Sequence, residues 1–433
     1  MDILAISIIF ISLSVFLIII GIPIAYALGF CALFGILFGS GGAPLTKLGL
    51  TPFTVFHGLN WLPLPMFILM AFIISETDIG RDIFSTANKW LSRIPGGLVV
   101  ACIWAEAAMA ATMGVSGTTI LTVGTVAVPE MEKLGCDKKF SLGALLSGGV
   151  LGPLIPPSIP LIVYAILSQQ SIGKLFIAGI IPGILLAIML SAYTMMACLR
   201  NPALAPRPSG AIWKERLVSL RKVWPVIIVI LGVLGGISLG VVTATEAGAA
   251  GVLIILLIAF VFYRFRLANL GRAMSEAATL TGMVGLMIIA TTIFSFVVGV
   301  SGLAQRLSSI IVASGLSPMM VIISINIVLL LLGCIMDGLA ILMVTMPLFI
   351  PLVINLGFDP VWFGIIVTVN IEVALITPPV ALNLFLVSGT FRVPATDVIR
   401  GVAPFLVVLI IFLGLLIAFP QISLWLPNMT SGR

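Results

Sequence analysis

The sequence predicts an all-α polytopic membrane protein built from two repeats of opposite membrane orientation. Of its 433 residues 61% are hydrophobic and only 8% are charged, whereas a water-soluble domain carries about 25% charged residues. Several stretches without Lys, Arg, Asp or Glu exceed the ~20 residues that a membrane-spanning helix needs. They also lack the alternation of a transmembrane β-barrel. A soluble enzyme is therefore excluded.

The apolar stretches define the predicted spans in order along the chain. They lie near 3–20, 22–39, 53–78, 141–168, 175–198, 223–241, 243–263, 277–299, 361–389 and 397–420. The first is expected to be a retained helix, because no A-x-A-like cleavage site follows it. Two further segments, 96–130 and 317–352, are about twice the length of a span or less uniformly apolar.

The distribution of basic residues predicts the topology. If the basic linker 199–222 is cytoplasmic and the N-terminus periplasmic, 17 of the 21 Lys and Arg residues lie inside, as the positive-inside rule requires. The four left outside are Lys47, Lys174, Arg306 and Arg433. This works only if segments 96–130 and 317–352 each enter and leave on one side, as re-entrant hairpins. The net charge of +6 therefore reflects topology, and no nucleic-acid partner is expected.

Two segments have the pattern of helices that lie in the lipid interface. Residues 81–93 and 211–222 each oppose apolar side chains, including Trp90 and Trp213, to basic ones. Membrane lipid is thus an expected partner. For the second segment a plain basic connector is the alternative.

The second half of the chain repeats the first at an offset of 222 residues, without a gap. The matched pairs include Pro129 with Pro351, Pro156–Pro157 with Pro378–Pro379, and Pro182 with Pro404. The predicted units are residues 1–198 and 223–433, joined by the linker. Because the topology places them in opposite orientations, they are inverted repeats, an architecture of secondary transporters. Gene duplication also builds channels, so that alternative stays open.

Each repeat contains a glycine-containing hairpin tip and a broken span. The tips read MGVSGTT (113–119) and IMDGLA (335–340), and the breaks read LGPLIPPSIP (151–160) and ALITPPVAL (374–382). Glycine frees the backbone dihedral angles, and adjacent prolines unwind a helix. Freed carbonyls bind a hard cation, and helix N-termini bind an anion. One tip beside one break predicts a cation site, and the repeat predicts two. A proline kink without a ligand is the alternative.

Four acidic residues lie in apolar surroundings. Asp337 is expected to coordinate or shape a cation site, with simple capping of the hairpin tip as the alternative. Glu246 is expected to cap a helix, and the roles of Glu106 and Glu372 stay open. A membrane enzyme is not expected, because His57 is the single histidine and no paired acids lie within a span. No glycine-rich phosphate loop for ATP is present either.

Five segments together resemble one known family, the large (M, DctM-like) membrane subunit of tripartite ATP-independent periplasmic (TRAP) transporters. They are GVSGTTILTVGTVAVPEMEKLGCD (114–137), LGPLIPPSIPLIVY (151–164), TATEAGAAG (243–251), MDGLAILMVTMPLFIPLV (336–353) and ALITPPVALNLFLV (374–387). The resemblance implies a Na⁺-driven, elevator-type importer of small organic acids in the bacterial inner membrane. It implies two protein partners, a small four-helix Q subunit on a separate chain and a periplasmic substrate-binding P subunit. A stand-alone ion-coupled carboxylate transporter is the alternative.

The resemblance also assigns candidate site residues. Those expected to bind Na⁺ are Gly114, Ser116, Gly117, Thr118, Gly152, Pro156, Met336, Asp337, Gly338, Thr377 and Pro378. Those expected to bind substrate are Ser116, Thr119, Ser158, Thr377 and Asn383. The chain departs from the family at Ala374 and Ala381, where glycine is common, and this departure is expected to tighten the second site.

Overall fold

The chain folds into α-helices joined mostly by short connections. A computed structural model describes residues 3–38, 45–206, 212–313, 315–379 and 381–430. Within these ranges no β-strand occurs. Part of the predicted linker, 207–211 with Arg207, and the C-terminal Arg433 lie outside the described residues.

The helices of the first half are α1 Ile3–Ile19, α2 Ile24–Phe38, α3 Thr46–His57, α4 Pro63–Ser75, α5 Ile79–Leu91, α6 Gly97–Met113, α7 Ser116–Lys133, α8 Lys138–Gly149, α9 Leu151–Leu154, α10 Ile159–Ser168 and α11 Ile172–Arg200. A short 3₁₀ turn, Pro202–Leu204, follows. Those of the second half are α12 Trp213–Ile230, α13 Gly236–Ser238, α14 Ala244–Phe262, α15 Leu267–Val300, α16 Leu303–Ala313, α17 Pro318–Gly333, α18 Gly338–Asn355, α19 Pro360–Leu375, α20 Leu382–Phe391, α21 Ala395–Ala418 and α22 Gln421–Thr430. A π-helical turn, Leu231–Gly235, joins α12 to α13.

The described residues confirm an all-α, polytopic membrane architecture. Six helices are long and apolar enough to cross a bilayer, and the number rises to eight if two sharply bent helix pairs each count as one span. One pair is α4 with α5, bent by 70°, and the other is α8–α9 with α10, bent by 41°. The second bend is the break predicted within 141–168.

Helix boundaries recur at the same offset of 222 residues as the prolines. Helix α7 begins at Ser116 and ends at Lys133, and α18 begins at Gly338 and ends at Asn355. The helix that follows each is capped by an aspartate, Asp137 before α8 and Asp359 before α19. Each cap side chain accepts a hydrogen bond from a backbone N–H of the first turn. The opposite membrane orientation of the two halves stays a prediction.

The structure differs from the expected spans in two places. The span expected at 53–78 is two helices, α3 and α4, separated at Gly58–Leu62, where a glycine precedes the proline that opens α4. The interfacial segment expected at 211–222 is not a separate helix. It forms the first part of α12, because residues 213–224 contain no Gly or Pro to end a helix.

Ion pairs join connections that the predicted topology places on the same side. Arg272 contacts Glu76 at 2.7 Å, and Lys222 contacts Asp82 at 3.0 Å. The Asn269 amide also donates to the Glu76 carboxylate, at 2.8 Å. Such partly exposed pairs add little stability, so their value lies in showing which connections meet.

Helices α8 and α21 approach so closely that only glycine fits between them. A Cβ atom at Gly143 would collide with the carbonyl oxygen of Gly401, and a Cβ at Gly401 would collide with that of Lys139. This contact holds the first broken span against the last long helix of the second half.

We therefore expect Gly401→Ala to destabilise the protein by about 1–3 kcal/mol, because backbone rather than a flexible side chain must move. The matched control is Gly414→Ala on the same helix, where a Cβ meets nothing within 4 Å. Melting temperatures in detergent measure the difference. Equal melting temperatures for the two variants would show that this crossing is not tightly packed.

Candidate functional site

The first hairpin tip requires glycine at its centre. Gly114 has φ +67°, a left-handed conformation that costs other residues about 1–2 kcal/mol. A Cβ atom there would also collide with the carbonyl oxygen of Pro157. The chain then passes through extended Val115, and α7 begins at Ser116. The tip is therefore shaped by direct contact with the first broken span.

The first break packs against this tip along the backbone. The amide of Ile159 donates to the carbonyl of Gly114 at 3.2 Å. Gly152, in α9, lies where a Cβ would be 3.1 Å from the backbone N and Cα of Ser116. The Pro156–Pro157 peptide bond is cis, and the Ser158 hydroxyl accepts from the amide of Leu161 to cap α10. All of Pro156 to Ser158 is buried.

The second tip and break have the same arrangement. Asp337 caps α18, and its Oδ1 accepts from the amides of Leu339 (3.0 Å) and Ala340 (3.1 Å). The thiol of Cys334 donates to the carbonyl of Pro378 at 3.6 Å, so this tip also touches its break. The Pro378–Pro379 bond is cis, as in the first repeat. Here the break is more open, because Thr377 and Pro378 are only half-buried.

The predicted residues of the second site lie at this contact. Met336 is buried within the tip, and a Cβ at Gly338 would press on Ile371 of α19. The Thr377 hydroxyl donates to the carbonyl of Val373, 2.6 Å away in the preceding helical turn. These contacts cap α18 and use one carboxylate oxygen of Asp337, Oδ1. The expected role of Asp337 at a cation site stays a prediction.

The two halves of the chain meet at the first tip. The amide Nδ2 of Asn383, in α20, donates to the Ser116 hydroxyl at 3.0 Å, and both side chains are buried. The carboxylate of Glu372, in α19, also lies beside the Ser116 side chain. Tyr164, in α10, donates to the carbonyl of Pro360 at 2.6 Å. Thus α19 and α20, which flank the second break, also border the first site.

The remaining predicted substrate residues make local contacts. The Thr119 hydroxyl donates to the carbonyl of Val115 at 2.8 Å, and Ser158 and Thr377 bond within their own helices. Within the described part of the chain, Ser116 and Asn383 are the members of the predicted set that hydrogen-bond across the repeats. Ala381 has φ +34°, which explains physically why glycine suits this position better.

Two other acidic residues have different surroundings. The Glu246 carboxylate accepts from the amide of Thr243 at 2.8 Å, and the Thr243 hydroxyl accepts from the amide of Glu246, so they form a capping box. Glu106 is fully buried against the backbone of Gly148, and neither of its oxygens has a hydrogen-bond partner among the described residues.

A cavity of about 1470 Å³ opens at the end of the molecule where the predicted topology places the α10–α11 and α13–α14 connections outside. It is lined by residues of the α3–α4, α10–α11 and α13–α14 connections, including Asn60, Gln170, Lys174, Thr243 and Glu246. These connections are distant in sequence, so the fold gathers them at one end of the molecule.

A family model, that of the DctM component of tripartite ATP-independent periplasmic transporters, matches residues 10–422. The chain belongs to the DctM family. A C4-dicarboxylate TRAP transporter large permease protein DctM of Pseudomonas aeruginosa is 37% identical over 85% of this chain and 86% of its own length. A DctM of Vibrio cholerae is 31% identical over 99% of this chain and 98% of its own length. These relatives are named as permease subunits of transporters and not as enzymes.

Other DctM-family relatives are named for different substrates. The sialic acid TRAP transporter large permease protein SiaM of Vibrio cholerae is 31% identical over 95% of this chain and 96% of its own length. Among solved structures, the YdaH transporter of Alcanivorax borkumensis superposes with a TM-score of 0.62 at 15% identity, covering 89% of this chain and 90% of its own. MtrF of Neisseria gonorrhoeae reaches 0.61 at 14% identity, covering 98% and 95%. These two show the fold alone.

Glu372 is the residue at this site whose role sequence reasoning left open. It is separated from Ser116 by most of the chain, and no local pattern marks their contact. A signal was nevertheless present, because an acidic residue within an apolar segment is costly unless it is paired or coordinated.

Gly114→Ala is expected to abolish transport and to lower the melting temperature, because it adds a collision with Pro157 to the strain of a left-handed alanine. Gly135→Ala is the matched control, since Gly135 has φ +72° and a Cβ there would meet nothing within 4 Å. Gly135→Ala should therefore cost only the conformational strain of a left-handed alanine, about 1–2 kcal/mol, and should retain transport. Uptake assays and melting temperatures in detergent test both variants. Active Gly114→Ala would show that the contact between tip and break is dispensable.

Proposed function

We propose that this chain is the transport subunit of a TRAP complex and drives the import of a small organic acid with Na⁺. The observation that carries the proposal is the repeated contact between a hairpin tip and a proline-broken span. Relatives at 31–37% identity are named for C4-dicarboxylates, sialic acid and ectoine. They support a small organic molecule, most often an acid, as the substrate.

The two breaks supply the chemistry for Na⁺. Proline has no N–H to complete a helical turn, so the carbonyls around Pro156 and Pro378 are freed from regular pairing. Non-helical backbone within a membrane is tolerated where it is buried or lines a cavity. The proposed Na⁺ residues are therefore Gly114, Ser116, Gly117, Thr118, Gly152 and Pro156 at the first site, and Met336, Asp337, Gly338, Thr377 and Pro378 at the second.

The substrate is proposed to bind between the two sites. The N-termini of α10 and α20 follow the breaks, and helix N-termini attract carboxylates. Ser158 and Asn383 lie at these N-termini. Helices α19 and α20 border both proposed Na⁺ sites through Glu372 and Asn383. We therefore expect the binding of Na⁺ and the binding of substrate to be coupled.

Delivery by a soluble binding protein is supported by family membership and by the outer cavity. In the predicted topology this cavity faces the periplasm, where a binding protein would release its ligand. A four-helix Q subunit is proposed to brace the chain within the bacterial inner membrane, with the linker 199–222 in the cytoplasm.

Alternating access is proposed to occur by displacement of one bundle against another. Sites formed by a tip and its break must move together to keep their ligands. The moving body would comprise residues 96–168 and 317–389. The frame would contain the other spans with the amphipathic helices α5 and α16, which lie at equivalent places in the two repeats.

Uptake into proteoliposomes should require both a Na⁺ gradient and the cognate binding protein. The measurement is uptake of a labelled organic acid by the chain co-reconstituted with its Q subunit, with choline replacing Na⁺ as the control. Undiminished uptake with a proton gradient alone would overturn Na⁺ coupling. Undiminished uptake without the binding protein would instead favour a stand-alone carboxylate transporter.

Two engineered disulfides should separate the moving body from the frame. The within-body pair is Ile120→Cys with Gly149→Cys, because a Cβ at Gly149 would lie 3.8 Å from that of Ile120, a suitable separation. The bridging pair is Gly80→Cys with Thr122→Cys, which joins α5 to α7 where a Cβ at Gly80 would press on the methyl group of Thr122. Both are made after replacement of the five native cysteines, all of which are free.

Oxidation of the bridging pair should stop transport, and reduction should restore it. The within-body pair should transport in both states. If the within-body disulfide stops transport while the bridging one does not, the hairpins open individually and the proposed bodies are wrong.

A further inference from the structure

Glu372 is a buried carboxylate that lies outside the proposed set of Na⁺ ligands. It is 3% exposed, and its Oε2 has no hydrogen-bond partner among the described residues. Its side chain does meet one polar neighbour, Ser116, the first residue of α7 at the first hairpin tip. A buried carboxylate with an unsatisfied oxygen is costly unless a cation or a proton compensates it.

The two tips differ in one respect that concerns charge. At the second tip the acidic residue Asp337 belongs to the tip itself. The equivalent position of the first tip, by the offset of 222 residues, is the uncharged Val115. Glu372 likewise has no acidic counterpart in the first repeat, where Val150 takes its place. The first tip thus has no carboxylate of its own, but the second repeat brings one to it.

We propose that Glu372 supplies the anionic ligand of the first Na⁺ site, as the counterpart of Asp337 at the second. Each tip then has one carboxylate ligand. At the second site this ligand comes from the same repeat as the tip, and at the first site it comes from the other repeat. The inference rests on the proposed Na⁺ coupling and extends it, because it makes the first site a joint product of both halves.

The surrounding contacts suit this role. The Asn383 amide donates to the Ser116 hydroxyl at 3.0 Å and holds it at the tip, beside the Glu372 carboxylate. Carboxylate, hydroxyl and backbone carbonyl oxygens are the hard ligands that small cations prefer. The free Oε2 of Glu372 provides the negative charge that a site made only of neutral oxygens lacks.

Glu106 provides an internal comparison. It is also fully buried and has no partner for its oxygens among the described residues, but it lies between α6 and α8 against Gly148. In the same part of the chain no hydrogen bond joins its carboxyl oxygens to a hairpin tip. Glu106→Gln therefore removes a buried carboxyl of the same kind without touching the proposed site.

The test is a Na⁺ titration of melting temperature on the purified full-length chain, with choline chloride keeping the ionic strength constant. Glu372→Gln preserves shape and removes charge. We expect it to raise the half-saturating Na⁺ concentration at least tenfold, while its melting temperature in choline equals or exceeds that of the wild type, because an uncompensated charge has been removed. Glu106→Gln should keep the wild-type Na⁺ response, and Glu372→Asp should restore part of it.

A Na⁺ response of Glu372→Gln equal to that of the wild type would overturn the inference, since a neutral side chain would then suffice. A melting temperature reduced equally in Na⁺ and in choline would also overturn it, because that is the behaviour of a structural residue. If the wild type itself shows no stabilisation by Na⁺, the proposed coupling fails at that step, and the failure is distinguishable from that of Glu372 alone.

Discussion

Backbone amides and carbonyls that lose their helical hydrogen bonds inside a bilayer have no water to bind, so they must find partners within the protein. The arrangement of both halves follows from this constraint. Each proline pair interrupts a span, and each interruption closes on a hairpin tip from the same repeat. In the first repeat the Ile159 amide donates to Gly114, and in the second the Cys334 thiol donates to Pro378. Glycine at position 114 is required because the Pro157 carbonyl leaves no space for a methyl group.

The repeats are alike in backbone but not in their polar side chains, and this difference has a functional consequence. The first break is buried, and its tip accepts a hydrogen bond from Asn383 of α20 and lies beside Glu372 of α19, both in the other repeat. The second break is half-open and has its own acidic cap. In the proposed mechanism the first Na⁺ site contains residues of both repeats. A movement of the second repeat would therefore alter that site directly, without a long chain of intervening contacts.

The sequence predicted those features that arise from local chemistry. Glycines and prolines predicted the tips and breaks, and the offset of 222 residues predicted equivalent helices, down to α7 and α18. The apolar pattern alone did not predict that the span expected at 53–78 is interrupted after Gly58. It also divided α12 into an interfacial segment and a separate span, whereas the basic and apolar parts form one helix. The Ser116–Glu372 contact was not predictable, because it depends on packing between distant helices.

Hydrogen–deuterium exchange with and without Na⁺ tests most directly the central claim, that each tip and its break form one ligand-binding unit. Na⁺ should slow exchange together in residues 112–119 with 151–160, and in 334–340 with 374–384, while choline and K⁺ leave exchange unchanged. The response of the first unit should extend to α20, through Asn383. Protection of a tip without its break, or protection elsewhere in the chain alone, would contradict the account.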